Sequence, residues 1–334
     1  MTMPRRRFGR TELEVPAITF GGGWVGGLLM RGSEEVREAA LSRALEAGID
    51  WIDTAALYGQ GVSETVIGQW LAGLAPERRP RLSTKFNLDM TAGDLEGQVF
   101  GSLEASFERL GVSKVPLVFL HNQILADEGP EPEGRNIRIG ELLRPGGAAD
   151  LLDKVRDRGL CDWIGITALG EPAALQAAVD SGRFDAAQVY YNLLNPSADA
   201  PGGPGWNSTD FNGLLQRCSA QDMGVMGIRI FAGGHLASRE RHGREIPVTG
   251  NTENAAEEAR AEAVFEMLGS DDGARARTAL RFGLACPTLS TIVVGLGEPE
   301  HLDEALAAVA EGPLPEAAID TLQPLWREHP AFRG

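Results

Sequence analysis

The feature that most constrains this chain is a recurrence. Short apolar runs at 17–20, 50–54, 82–85, 117–121, 163–167, 186–191, 225–230 and 291–294 alternate with stretches of helical spacing at 34–47, 63–72, 94–110, 148–158, 172–180, 211–220, 274–285 and 299–310. Leu95, Val99, Leu103, Phe107 and Leu110 make one apolar stripe at helical spacing. Ser33 is placed to cap the first long helix. Many helices stop at a glycine shortly before the next strand, as at Gly48, Gly111, Gly159 and Gly182, where a left-handed C-cap is expected. Apolar strands alternating with helices predict a parallel sheet covered by helices. Eight such units predict a closed (β/α)8 barrel, with an open doubly wound sheet as the alternative. A barrel of this kind accommodates residues 1–334 as a single domain.

The flanking segments fit that frame. A small hairpin is expected at 6–15, with Gly9, Arg10 and Thr11 as its turn. Three long loops, 122–147, 192–210 and 231–259, all follow strands and so fall on the C-terminal rim. The tail after Pro313 is expected to hold a short helix packed across one end.

Composition excludes several classes. The net charge of −16 argues against a general binder of nucleic acid or anionic membrane. No apolar run approaches the roughly 18 residues of a membrane helix, and the basic start is not followed by the apolar run of a secretory signal. Cys161, Cys218 and Cys286 stand far apart, which fits reduced thiols and a cytoplasmic location. No H-E-x-x-H and no Cys/His cluster is present, so no metal is expected.

The chemistry concentrates at the ends of three consecutive strands. Asp53 ends the second, Lys85 the third and His121 the fourth, with Tyr58 just beyond the second. In a barrel these side chains converge on the C-terminal face. An ammonium beside a phenol favours its ionised form. Asp53 is placed to hold Lys85 charged, and His121 to aim a substrate oxygen at Tyr58. The set suits proton exchange with a carbonyl or alcohol oxygen while a hydride moves at the carbon, which requires a nicotinamide or flavin. Any one of these residues alone is more often a cap, a solvated charge or a structural histidine; their grouping on one rim favours the functional reading.

The runs W-I-D-T-A-A-L-Y-G at 51–59, L-S-T-K at 82–85, V-F-L-H at 118–121 and A-Q-V-Y-Y-N at 187–192 resemble the aldo-keto reductases, in order, over about residues 5–310. The resemblance implies a (β/α)8 barrel, an extended NAD(H) or NADP(H) held without a Rossmann domain, and a catalytic tetrad of Tyr58, Lys85, His121 and Asp53. It further implies cofactor contacts from Gly22, Gly23, Thr167, Gln188, Arg229, Gly295, Gly297, His301 and Glu304, and a substrate pocket with Trp24 and Asn122. Ile228 stands where many members have a stacking aromatic, followed by Arg229 as the expected pyrophosphate contact, and Ala168 stands where an asparagine is usual. Glu298 and Glu300 would repel a 2′-phosphate, so NAD is slightly favoured over NADP. The form of 4–15 and 58–64 resembles the subgroup containing aldose 1-dehydrogenases and pyridoxal dehydrogenase. The expected substrate is a small carbonyl, alcohol or sugar, shaped by loops 122–147 and 192–210; the oligomeric state is left open.

Three other readings compete with this one. Gly21 to Gly26 matches G-x-G-x-x-G after a strand, but a Rossmann fingerprint opens its helix at the third glycine, and here the helix cap comes only at Ser33. A cofactor-binding sensor or regulatory subunit on the same scaffold would keep the tetrad with little turnover. A metal-dependent barrel hydrolase would need clustered histidines or acids on the rim beyond His121 and Asp53.

Overall fold

In the computed structural model, which describes residues 2–23, 25–129, 134–240, 243, 252–269 and 274–334, eight parallel strands close into a barrel. The hairpin comes first, as β1 (Arg5–Arg7) paired antiparallel with β2 (Glu14–Pro16). The barrel strands are β3 (Ile18–Gly21), β4 (Trp51–Asp53), β5 (Arg81–Phe86), β6 (Val115–Leu120), β9 (Cys161–Ala168), β10 (Ala186–Tyr190), β11 (Gly224–Ile228) and β12 (Thr291–Gly295). Between β6 and β9 lie two further strands, β7 (Gln123–Leu125) and β8 (Asn136–Arg138), which form a parallel pair of their own. Around the barrel the order is β3, β4, β5, β6, β9, β10, β11, β12 and back to β3. Because β12 pairs with β3, the eight-stranded sheet has no edge, and the open-sheet alternative is excluded.

The helices run α1 (Leu28–Arg31), α2 (Glu34–Glu46), α3 (Val62–Ala72), α4 (Leu95–Leu110), α5 (Ile139–Leu143), α6 (Ala148–Asp157), α7 (Pro172–Asp180), α8 (Leu214–Ala220), α9 (Asn254–Leu268), α10 (Arg275–Ala285), α11 (Glu300–Glu311) and α12 (Glu316–Glu328). Ser33 caps α2 by accepting from Val36 N, and Gly111 ends α4 in the left-handed region. Their apolar faces pack on the outward residues of the strands, such as Ile52, Val118, Ile164 and Ile292, in the larger core. A second core fills the barrel from below. The hairpin turn inserts Phe8 among Trp51, Leu117, Phe119, Ala186 and Met226, with its ring 5.7 Å from that of Trp51. That plug closes the N-terminal end and leaves the C-terminal end as the open one.

Several boundaries differ from expectation for local reasons. α8 starts at Leu214 rather than 211, because Asn212 and Gly213 are both left-handed (φ 48° and 70°). β11 stops at Ile228 rather than 230, where Arg229 turns to φ 60°. The segment 122–147 is not a plain loop, since it holds β7, β8 and α5. The tail helix α12 has 13 residues, so it is not short. It buries Leu322, Leu325 and Trp326, and the Trp326 indole donates to Leu193 O at 3.0 Å.

Candidate active site

Strand alternation decides which residues enter the barrel mouth. Side chains two apart share a face, so Trp51 and Asp53, Ser83 and Lys85, Phe119 and His121, and Ala186 and Gln188 all point inward. The register sets Asp53 opposite Ser83, and Gln188 between Thr167 and Met226. A cavity of about 1000 Å³ opens above them, at the upper end of the usual range for small-molecule sites.

The four predicted catalytic residues come together here. Lys85 Nζ donates to Asp53 Oδ2 at 2.6 Å, to Thr54 O at 2.8 Å and to Tyr58 OH at 3.2 Å. Lys85 is 1% and Asp53 2% exposed, so this is a desolvated ion pair. Burial works against the Lys85 ammonium, but the charges and hydrogen bonds of Asp53 and Tyr58 outweigh it and hold its pKa above the ordinary value. The other Asp53 oxygen accepts from Ser83 Oγ at 2.7 Å and from Gln188 Nε2 at 2.8 Å, and the Trp51 indole donates to Ser83 Oγ at 3.1 Å. Asp53 is thereby fixed by side chains from two strands, β5 and β10.

Tyr58 is held by its turn. Its N–H donates to Ala55 O and its carbonyl accepts from Ser63 N. Gly59, Gln60 and Gly61 follow with φ of 61°, 55° and 93°, which lets the chain double back into α3. Glu64, fully buried in α3, accepts from Thr84 Oγ1 at 2.5 Å and pairs with Arg109 at 2.7 Å. This ties the helix to the strand that carries Lys85. The His121 ring meets the Tyr58 ring edge-on at 5.8 Å. Burial, then the charges of Lys85, Arg135 and Arg229, push its pKa down to about 3, so the imidazole is neutral at physiological pH. Its Nδ1 is buried and, among the described residues, has no hydrogen-bond partner.

The predicted cofactor residues divide. Gly23, Thr167, Gln188, Arg229, Gly295, Gly297, His301 and Glu304 line the cavity. Gly22 does not. It is one residue out of phase with Gly21 and Gly23, its N–H donates to Asp53 O at 2.8 Å, and a Cβ there would lie 2.5 Å from Ser63 Oγ. Gly21, which the sequence reading passed over, lines the cavity in its place. Asn122 is likewise out of phase with His121. It is fully buried and clamps the backbone of Leu88 by accepting from its N–H at 2.8 Å and donating to its carbonyl at 2.7 Å, so it is not a pocket residue. Trp24 lies outside the described residues. Loop 192–210 does not line the cavity either; Trp206 and Asn207 pack on the C-terminal tail. Cavity residues missed from sequence include Leu57, Asn87, Gln123, Arg135, Arg31 and Phe231. Alternation extended past the strand ends would have found Asn87 and Gln123.

The residues present fit a nicotinamide dinucleotide. The Thr167 hydroxyl is buried without a partner beside Gln188, as a group awaiting a carboxamide would be. Gly295 faces open space where a Cβ would meet nothing. Arg229 and the start of α11 supply positive ends along one continuous arc, β9 to β12 and β3. At the far end His301 Nδ1 accepts from Gly297 N and Glu298 N at 3.1 and 3.3 Å, so the imidazole shapes the turn. Glu304 pairs with Arg277 at 3.1 Å. The G-x-G-x-x-G match does not open a Rossmann helix: Gly26 packs on the backbone of Leu296, where a Cβ would lie 2.5 Å away. Among the described residues no cluster of three or more metal-ligating side chains occurs, and no helix is long and apolar enough to cross a membrane.

Comparison with known proteins agrees with this geometry. The chain is 30% identical, over 260 residues, to a D-threo-aldose 1-dehydrogenase of a Pseudomonas species, covering 70% of this chain and 71% of that one. It is 25% identical to the L-galactose dehydrogenase of Arabidopsis thaliana over 92% and 88% of the two chains. In fold it is similar to an aldo-keto reductase from Bacillus halodurans in its holo form, with a TM-score of 0.72 over 98% and 97% of the chains at 19% identity. Residues 17–327 match the sequence model of the Aldo/keto reductase family, and this chain belongs to that family of nicotinamide-dependent oxidoreductases.

Proposed function

We propose that this protein interconverts a carbonyl or aldose hemiacetal with its reduced or oxidised partner, with Tyr58 exchanging the proton. The observation that supports this most is the Lys85 ammonium, buried against Asp53 and 3.2 Å from the Tyr58 hydroxyl. Bound nicotinamide supplies or accepts the hydride at the reacting carbon. In the reducing direction Tyr58 gives its hydroxyl proton to the carbonyl oxygen, and the negative charge left on the phenol oxygen is stabilised by Lys85. In the oxidising direction Tyr58 takes the alcohol proton back. Asp53 keeps Lys85 charged and aimed. Neutral His121 hydrogen-bonds the substrate oxygen without repelling that ammonium. Thr167 and Gln188 orient the carboxamide, and Arg229 meets the pyrophosphate.

NAD is the cofactor this reading favours. Glu298, just before α11, and Glu300, its first residue, would place like charge near a 2′-phosphate at this turn, and the neighbouring cation Arg277 is already paired with Glu304 and Glu311, at 3.1 and 3.2 Å. The two sequence relatives named above, an aldose 1-dehydrogenase and a galactose dehydrogenase, act on aldoses by their names, so an aldose hemiacetal heads the substrate classes. Cys161, Cys218 and Cys286 are free and buried, with thiols pushed up to about 12, 12 and 11, in keeping with a reducing, cytoplasmic setting. The test is initial rates with both cofactors, in both directions, on a panel of aldehydes, ketones and aldoses. Turnover with NAD(H) at least equal to that with NADP(H) is expected. Tight cofactor binding with no turnover on any member would favour a sensor instead.

A further inference from the structure

The barrel mouth divides into two arcs. The residues assigned to the cofactor come from β9, β10, β11, β12 and β3 and the turns beyond them, which are contiguous around the barrel. The remaining arc, β4, β5 and β6, carries the tetrad and the wall that substrate must face. Two groups on this second arc have no role in the proton exchange and, among the described residues, no side-chain partner.

The first is Asn87. It continues the inward series Ser83, Lys85, Asn87 past the end of β5 and lines the cavity. Both its amide nitrogen and its amide oxygen are buried without a hydrogen bond. Buried amides are normally hydrogen-bonded at both atoms, so a pair left open in a cavity wall points to a ligand that meets it. A hydroxyl, which donates and accepts, is the group that satisfies both atoms.

The second is Arg135. With 47 acidic side chains against 31 basic ones, an arginine beside a catalytic cavity has many carboxylates to choose from. Arg156, Arg183, Arg217, Arg275 and Arg281 all take one. Among the described residues Arg135 forms no hydrogen bond or ion pair through its guanidinium. Its position is built. The β7–β8 pair sets Gln123 opposite Asn136, and Gln123 N donates to Arg135 O at 2.9 Å, which places Arg135 on the rim next to the segment leaving His121. Its charge is felt at the His121 ring, and it lines the same cavity.

We propose that Asn87 and Arg135 form the substrate subsite, and that it selects a hydroxylated carbonyl compound or aldose bearing an anionic group, Asn87 meeting a hydroxyl near the reacting carbon and Arg135 the anion further out. The shared chemistry of that anion is a carboxylate or a phosphate. This inference rests on the oxidoreductase reading above and deepens it.

The experiment compares glucose, glucuronate and glucose 6-phosphate as matched neutral, carboxylate and phosphate members, in the wild type, Arg135→Gln, Arg135→Lys and Tyr58→Phe. Rates are measured with cofactor in excess, and binding of the same three sugars to cofactor-loaded protein by calorimetry. The wild type should favour one anionic member over glucose by about tenfold or more, the scale of a charge-assisted hydrogen bond. Arg135→Gln should abolish that ratio through KM, and Arg135→Lys should restore part of it. Asn87→Ala should lower kcat/KM for the sugars relative to propanal. Equal preference for glucose in the wild type, by rate and by binding, overturns the proposal, as does an Arg135→Gln effect that is the same for charged and neutral members. Tyr58→Phe keeps the two readings apart: turnover that survives it sinks the proton-exchange mechanism, whatever Arg135 does.

Discussion

His121 is a neutral imidazole set among three cations, and that has a consequence for stability. Its pKa in the fold lies near 3, below the ordinary 6.5. As pH falls through 6.5 the unfolded chain takes up a proton that the folded chain refuses until about 3. The fold therefore loses stability across that window, by on the order of a few kcal/mol. His121→Gln should flatten the decline, seen as a smaller loss of unfolding free energy between pH 6.5 and 4 than in the wild type. Parallel curves for the two proteins would show that the ring is not buried neutral. Arg229 makes the other point at this scale. A non-glycine residue at φ 60° is strained by roughly 1–2 kcal/mol, yet its carbonyl is pinned by Asn192 Nδ2 at 2.8 Å and its side chain faces the cavity. Arg229→Gly should keep or raise the melting temperature while weakening cofactor binding by about tenfold or more, the loss of a charge-assisted contact. Unchanged cofactor affinity would remove Arg229 from the pyrophosphate site.

At the scale of elements, much of the site was legible because strands alternate. Asp53, Lys85, His121, Thr167 and Gln188 all end or nearly end an apolar run, and a period of two carries each one inward. The same rule explains the two misplacements. Gly22 and Asn122 sit one residue out of phase with their inward neighbours and serve the backbone instead. What sequence did not show is structure made by pairing at a distance. The β7–β8 ladder joins residues across a turn, and loop 192–210 is shaped by the C-terminal tail, where Arg260 donates to both Asn207 Oδ1 and Ala331 O. Neither leaves a periodic trace. Helix contacts were hidden too. Gly68 in α3 lets the backbone of α4 approach so closely that a Cβ would lie 2.0 Å from Arg109 O. Alanine normally gains about 1 kcal/mol over glycine inside a helix. Here Gly68→Ala should instead destabilise by roughly 1–3 kcal/mol, measured by denaturant unfolding, because two backbones are forced apart. A more stable variant would mean that α3 and α4 are not in contact at this point.

Across the whole molecule, the barrel converts sequence order into a division of labour. The hairpin and Phe8 close one end, and Asp53, Tyr58 and His121 line the cavity at the other, with Lys85 buried against Asp53. Closure makes β9 to β12 and β3 contiguous; under the proposed function that arc serves the cofactor, and β4 to β6 hold the proton donor and the substrate. Eight recurring units made that closure readable from the chain; which arc does what emerged only from the order of strands. The proposed chemistry depends on the phenol oxygen of Tyr58 beside a buried ammonium. The most direct measurement is single-turnover rate and cofactor affinity for Tyr58→Phe against the wild type. The rate should fall by about 10²–10⁴-fold, the scale of general acid–base catalysis, with cofactor affinity little changed. A variant that turns over at the wild-type rate would show that the proton travels by another route.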